Sequence, residues 1–257
     1  MTAAFTHPER LLRSFGIETP QDIDLEAIAW ELGAKVRIGS LRTCEARIVG
    51  RNGRAIITVD AAKPPRRRRF SIAHELGHWQ RHRGRCLICR PQDIGSQKQR
   101  GTTDPERIAD EYASDLILPR YLIEPLVKDV SRLTIGSLTA IADEFQASRT
   151  ATLMKVVASG QFPILMVCTT RTGRKYFKAS PSVPTRWFPR SDVSPDSLAF
   201  EMLYGDKSES TVPRPVKATA WFDRDAGGFS VLEQSFRVAD TEVMSIITLN
   251  DKKMLSD

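Results

Sequence analysis

No run of about 18 apolar residues occurs in this 257-residue sequence, so it offers no transmembrane helix. The first ten residues, Met-Thr-Ala-Ala-Phe-Thr-His-Pro-Glu-Arg, lack an apolar signal core, and a cytoplasmic location is the expectation. Cysteine is scarce. Cys44, Cys86, Cys89 and Cys168 do not make the disulfide framework of a small secreted domain. Internal repeats and low-complexity tracts are absent as well. The remaining composition, 41% hydrophobic and 27% charged, is that of an ordinary globular protein with ample residues for a core. The length allows one large domain or two to three small ones. A formal net charge of +7 permits contact with nucleic acid or an acidic partner, and equally describes a solvated basic surface.

The chain opens with helical patterns. Pro8 to Phe15 reads as a short helix with proline in its first turn and Gly16 behind it. Asp22 to Leu32 repeats Leu25, Ile28, Ala29 and Leu32 at helical spacing, with Asp22 or Asp24 as cap and Gly33 as stop. Three strand-like runs follow, Lys35–Ile38, Cys44–Val49 and Arg54–Val59. Asn52-Gly53 is a hairpin signal between the last two. A small antiparallel sheet is therefore expected.

After Lys63-Pro-Pro-Arg-Arg-Arg-Arg69 comes the stretch that carries chemistry, Phe70-Ser-Ile-Ala-His-Glu-Leu-Gly-His-Trp79, on a helix expected from about Arg67 to His82. His74 and His78 lie one turn apart on one face, so both imidazoles reach one metal ion. Glu75, next to the first histidine, stands where a general base can activate a water. A catalytic zinc site needs a third protein ligand. His82 lies roughly 12 Å along the helix axis from His74, too far to join both histidines on one ion.

A carboxylate on a later helix is the better third ligand. Asp104 and Pro105 are a natural cap and first residue for a helix that Pro119 stops. Its first turn carries Glu106. Asp110, one turn on, suits a supporting role, accepting the distal N–H of a metal-bound histidine. Glu111 and Asp110 are the fallback ligands.

The segments Phe70–Trp79 and Glu106-Arg-Ile-Ala-Asp-Glu-Tyr-Ala-Ser-Asp-Leu-Ile-Leu-Pro119 together resemble the ImmA/IrrE family of metallopeptidases. That family pairs an H-E-x-x-H helix with an E-x-x-A-N/D-x-F/Y-A-x-x-L-L/I-x-P helix. The resemblance covers about residues 20–125 and implies His74, His78 and Glu106 as metal ligands with Glu75 as general base. It implies zinc, with manganese as the alternative, and a particular substrate: a partner helix-turn-helix transcriptional repressor, cut to release a stress or mobile-element operon. Neither Tyr112 nor Arg107 can be placed from sequence as an oxyanion donor.

Beyond Pro119, residues 121–130 and 134–158 read as helices. The break at Gln146-Ala-Ser148 gives the second stretch a helix-turn-helix look. Its basic residues are only Arg149 and Lys155, which favours docking or packing over DNA binding. From Phe162 the pattern becomes strand-like: Ile164–Cys168, Lys175–Phe177, Ala218–Phe222, Phe229–Glu233, Phe236–Val238 and Ser245–Leu249. The expected class is α+β: a zincin-like peptidase domain over 1–125, a helical HTH-like segment over 126–160, and a mainly β domain over 161–257. The resemblance implies a GAF-like sensory character for the last.

Three further features stay open. Cys86 and Cys89 form a C-x-x-C that reads as structural thiols or as a redox or metal sensor. Arg66–Arg69 with Arg81, Arg83, Arg85 and Arg90 makes a basic zone around the motif helix. Arginines at a helix start oppose its dipole, so that run calls for a partner. Residues 161–190 interleave Arg171, Arg174, Lys175, Lys178, Arg186 and Arg190 with Tyr176, Phe177, Trp187 and Phe188, fit either for nucleic acid or for the edge of a β domain. Against the enzyme stand two alternatives: a non-catalytic DNA- or protein-binding regulator with a structural zinc site, and a toxin–antitoxin or prophage component that acts through binding alone.

Overall fold

The computed structural model describes residues 4–82, 104–206, 210, 212–223 and 226–256. The chain forms two compact units, one made of Met1–Ile123 and Ala142–Ser148, the other of Glu124–Ile141 and Arg149–Asp257. Both mix helices with small sheets. Among the described residues no helix is long and apolar enough to cross a membrane.

In the first unit, α1 (His7–Ser14) has Pro8 in its first turn. Glu9 closes two helices at once. One carboxylate oxygen accepts the Thr6 N–H at 2.8 Å, and the other accepts the Arg120 N–H at 2.7 Å, where α5 (Arg120–Lys128) begins. Asp24 caps α2 (Leu25–Glu31), accepting from the N–H groups of Glu26 and Ala27 at 2.9 and 3.1 Å. Gly33 then turns the chain at φ +80°, where any Cβ would stand 2.7 Å from the Gly53 carbonyl oxygen.

The sheet contains β1 (Ala34–Gly39), β2 (Ala46–Arg51) and β3 (Arg54–Asp60) in the order β1-β3-β2. The expected tight turn joins β2 to β3, with Asn52 and Gly53 both at positive φ. The sheet is mixed, which corrects the antiparallel expectation: β2 is antiparallel to β3, but β1 is parallel to it. The hairpin already occupies one edge of β3. Residues 40–45 carry the chain past β3, so β1 and β2 lie on its two sides. Residue periodicity reports which face a side chain takes, not which edge a strand joins.

Helix α3 (Pro65–Arg81) begins slightly earlier than expected, with Pro65 in its first turn. The inner sheet face, including Ala46, Ala55, Ile57 and Val59, is buried on the α3 side. Trp79 donates from Nε1 to the Leu32 carbonyl at 2.8 Å, and its ring fills the space a side chain at Gly50 would need. Helix α4 (Pro105–Ile117) is capped by Asp104, which accepts the Glu106 N–H at 2.9 Å. Helices α5 and α6 (Ile135–Glu144) run through the boundaries between the units.

In the second unit, α7 (Arg149–Ser159) precedes an antiparallel sheet of order β5-β4-β8-β7-β6. Its strands are β4 (Ile164–Thr170), β5 (Gly173–Ala179), β6 (Arg214–Lys217), β7 (Ser230–Ala239) and β8 (Glu242–Thr248). Helix α8 (Leu198–Tyr204), capped by Ser197, contributes Ala199, Met202 and Leu203 to a core with Leu165, Val231 and Ile247. Two sequence expectations change here. Ala218–Ala220 is a 3-10 turn rather than a strand, with the Trp221 N–H closing onto the Ala218 carbonyl at 3.0 Å. A short apolar run has no period that separates a buried turn from a buried strand. The two runs Phe229–Glu233 and Phe236–Val238 join, from Ser230 onward, in one continuous strand, β7. A buried carboxylate sits in this sheet: Glu233 accepts from Trp221 Nε1 at 2.9 Å, the Ala199 N–H at 2.9 Å and Ser235 Oγ at 3.1 Å. Burial pushes its pKa up, and these donors oppose that rise.

Candidate metal centre

His74, Glu75 and His78 sit on the stretch of α3 that is buried from Ser71 to Trp79. The helical repeat brings the two imidazoles together, with Nε2 to Nε2 at 3.0 Å and the rings close to perpendicular at 81°. Glu106, in the first turn of α4, completes the group. Its Oε2 lies 3.2 Å from His74 Nε2, and its Oε1 lies 3.4 Å from His78 Nε2. The two helices approach closely at Gly77, where an added Cβ would stand 2.9 Å from the Ala109 Cα. A glycine in the middle of an otherwise regular helix is the sequence signal for such an approach.

The ring nitrogens on the far side are held too. Asp110 Oδ1 lies 2.9 Å from His74 Nδ1, and His82 Nδ1 lies 3.2 Å from His78 Nδ1. A proton on each Nδ1 leaves both Nε2 lone pairs facing Glu106. Burial lowers the pKa of His74, but the hydrogen bonds its ring donates to Asp110 and Glu106 and the charges of Asp110 and Glu75 hold it up at about 9. Burial raises the pKa of Glu106, and the two histidines outweigh that, keeping its carboxyl well below the usual range. Glu75 is fully buried beside this cluster.

The donor set suits a metal ion. Bonds of about 2.0–2.1 Å in a tetrahedron put ligand atoms roughly 3.3 Å apart, and the observed separations of 3.0, 3.2 and 3.4 Å bracket that spacing. His74, His78 and Glu106 are the group of metal-binding side chains found among the described residues. The fallback Glu111 faces elsewhere, its carboxylate accepting from Arg107 Nε at 2.8 Å on the exposed side of α4. That pair also draws Arg107 away from any oxyanion role. Tyr112 packs its ring 5.9 Å from that of His7. Its hydroxyl is buried with no hydrogen-bond partner among the described residues, and burial pushes its pKa up to about 12.

The arginine run at the start of α3 finds partners inside its own unit. Arg66 donates to the Ala147 carbonyl at 2.9 Å and pairs with Asp143. Arg67 Nε meets Glu45 at 2.6 Å, Arg68 donates to Ala61, and Arg69 donates to Ile23. Of the other members of that basic zone, Arg81 ends α3, and Arg83, Arg85 and Arg90 lie outside the described residues, as do Cys86 and Cys89. Cys44 and Cys168 are buried and unbridged. In the second unit the basic and aromatic residues stack on one another. Arg174 lies 5.0 Å from the Phe177 ring and 4.6 Å from that of Phe188, and Arg186 lies 5.2 Å from that of Trp187. Arg149, one of two cations on the supposed recognition helix, lies over Phe236 at 4.5 Å.

Comparison with known proteins adds a family and a fold. The family model described as IrrE N-terminal-like domain, Peptidase M78, matches residues 29–156. A solved Mycobacterium tuberculosis transcriptional regulator shares the fold at a TM-score of 0.57 and 16% identity, over 95% of this chain and 88% of that one. No curated protein matches the sequence.

Proposed function

We propose, on the premise that this chain belongs through residues 29–156 to the IrrE N-terminal-like domain family, that it is a zinc-dependent endopeptidase acting in regulation. The observation that carries this reading is the convergence of His74 Nε2, His78 Nε2 and the Glu106 carboxylate, with Glu75 buried beside them. Zinc, or manganese in its place, would supply Lewis acidity for a peptide carbonyl and acidify a water. Glu75 would take a proton from the attacking water as its oxygen bonds to the scissile carbonyl carbon, and would pass that proton to the leaving amine as the C–N bond breaks. Asp110 keeps His74 in the tautomer and orientation that bind metal. A site of purely structural purpose has no need of a base at position 75, which argues against the non-catalytic regulator.

The proposed substrate is a partner helix-turn-helix transcriptional repressor, cleaved to derepress a stress-response or mobile-element operon in the cytoplasm. Residues 1–125 act as a zincin-like catalytic domain, 126–160 as an HTH-like packing or docking segment, and 161–257 as a GAF-like sensor. The test is co-incubation of the metal-loaded chain with the repressor encoded beside it. One discrete cut is expected, abolished by chelator and by Glu75→Gln, while the variant still binds metal. Absence of cleavage with metal bound, or full cleavage by Glu75→Gln, would overturn the reading.

A further inference from the structure

The first unit uses arginine in two different ways. The Arg66–Arg69 run is tied to carbonyls and carboxylates of its own fold, whereas the outward face of the β1-β3-β2 sheet carries five cations without such ties. Strand pairing fixes which side chains share that face. Arg37 and Arg47 flank Thr58, Lys35 and Val49 flank Ile56, and Arg51 stands opposite Arg54. All five cations are exposed, and among the described residues none of their side chains has an ion pair or hydrogen bond. Asp60 is the one acid on these strands. It is buried and accepts from the N–H groups of Leu41 and Ala62 at 3.4 and 3.3 Å.

This arrangement costs stability. Arg51 and Arg54, like charges directly opposite on neighbouring strands, oppose pairing. Among the described residues no carboxylate pairs with these cations. At the centre, Ile56 and Val49 are 39% and 63% exposed, side by side. The face is thus an apolar centre within a ring of guanidinium and ammonium groups, the anatomy of a protein-binding patch with its charged rim.

We propose that this face docks an acidic protein segment. One or two apolar side chains of the segment cover Ile56 and Val49, and flanking carboxylates pair with Lys35, Arg37, Arg47, Arg51 and Arg54. Four of the five cations are arginines, whose planar fork takes a carboxylate through two parallel hydrogen bonds. A phosphate backbone has nothing to bury the apolar centre. No aromatic side chain on this face stacks a base, and no helix there enters a groove. The patch measures roughly 10 by 14 Å, so the docked segment is short and the complex transient. No residue of α3 or α4 takes part, so docking stands or falls apart from the peptidase reading.

The test measures fluorescence anisotropy with the full chain and labelled peptides of about ten residues, enough to cross three strands. One alternates Glu with Leu, a second replaces Leu by Ser, a third replaces Glu by Lys, and a mixed-sequence DNA duplex is run beside them. The Glu/Leu peptide is expected to bind, and the Lys peptide is not. The double reversal Arg37→Glu with Arg47→Glu should weaken binding by roughly tenfold or more. Ile56→Ser should weaken it several-fold, and Lys217→Glu, a single charge reversal in the other unit, should leave it unaltered. Because reversal relieves repulsion, the double variant should melt no lower than the parent; Arg51→Glu stands in if it does. The proposal is overturned if reversal leaves peptide binding intact, if the Ser peptide binds as tightly as the Leu peptide, or if the duplex binds more tightly through the same arginines.

Discussion

Asp110 and His74 are joined at 2.9 Å, carboxylate oxygen to Nδ1, from the facing helices α4 and α3. This contact fixes the tautomer of a ring whose other nitrogen faces Glu106. Asp110→Ala is expected to weaken zinc binding by about 10- to 100-fold. Asp110→Asn, which still accepts the Nδ1 proton but lacks the charge, should fall between that variant and the parent. Competition with a chromophoric chelator measures both, and parental affinity in Asp110→Ala would contradict the assignment.

His82 does for His78 what Asp110 does for His74, at 3.2 Å between Nδ1 atoms. An imidazole nitrogen accepts the Nδ1 proton less strongly than a carboxylate does. His82→Ala should therefore lower zinc affinity, by less than Asp110→Ala does, and leave the metal stoichiometry at one. A loss of stoichiometry would instead mark His82 as a ligand.

The metal-free protein should lose stability in alkali. His74 holds its proton to about pH 9 in the fold against an ordinary value of 6.5. Its contribution is complete below 6.5 and is lost as pH rises through 9, about 3 kcal/mol at most. Glu106 acts in the opposite window: its depressed pKa stabilises above the ordinary carboxylate value and fades in acid. Metal displaces the His74 proton, so zinc affinity should rise with pH up to about 9, roughly tenfold per pH unit for each proton released. Urea melts of chelator-treated protein between neutral and alkaline pH check the first point. Calorimetry in buffers of different ionisation heat checks the second. Equal metal-free stability across that range would refute this account of His74.

Gly77 lets α3 and α4 meet closely enough for Glu106 to reach both histidines. Gly77→Ala gains helix propensity but places a methyl 2.9 Å from the Ala109 Cα and 3.1 Å from Tyr112 Cβ. Backbone on one side cannot give way cheaply, so a net destabilisation of about 1–3 kcal/mol is expected, together with weaker metal binding. A more stable variant with unchanged affinity would show that the approach is dispensable.

The candidate metal cluster of His74, His78 and Glu106 was legible because each part leaves a local mark: two histidines at helical spacing, an Asp-Pro helix start before Glu106, and a carboxylate one turn further at Asp110. The caps at Asp24 and Asp104 and the turn at Asn52-Gly53 were legible for the same reason. The rest depends on partners far along the chain. No local pattern says that β1 joins the far edge of β3, or that Arg66 would find the Ala147 carbonyl. Helix α8 and strand β6, of seven and four residues, are too short to show a period, and Pro215 hides a strand that holds an edge position.

The carboxylate of Glu9 bears on the order in which the chain comes together. It secures the start of α1 and the start of α5, which are more than a hundred residues apart in sequence. During synthesis α1 emerges first yet has its second anchor only once Arg120 has left the ribosome. By then His74, Glu75, His78 and Glu106 have all been made. The earliest segment is therefore among the last to be locked, and a nascent chain stalled before Arg120 should leave α1 open to protease while the hairpin of β2 and β3, closed by its own two-residue turn, is already protected.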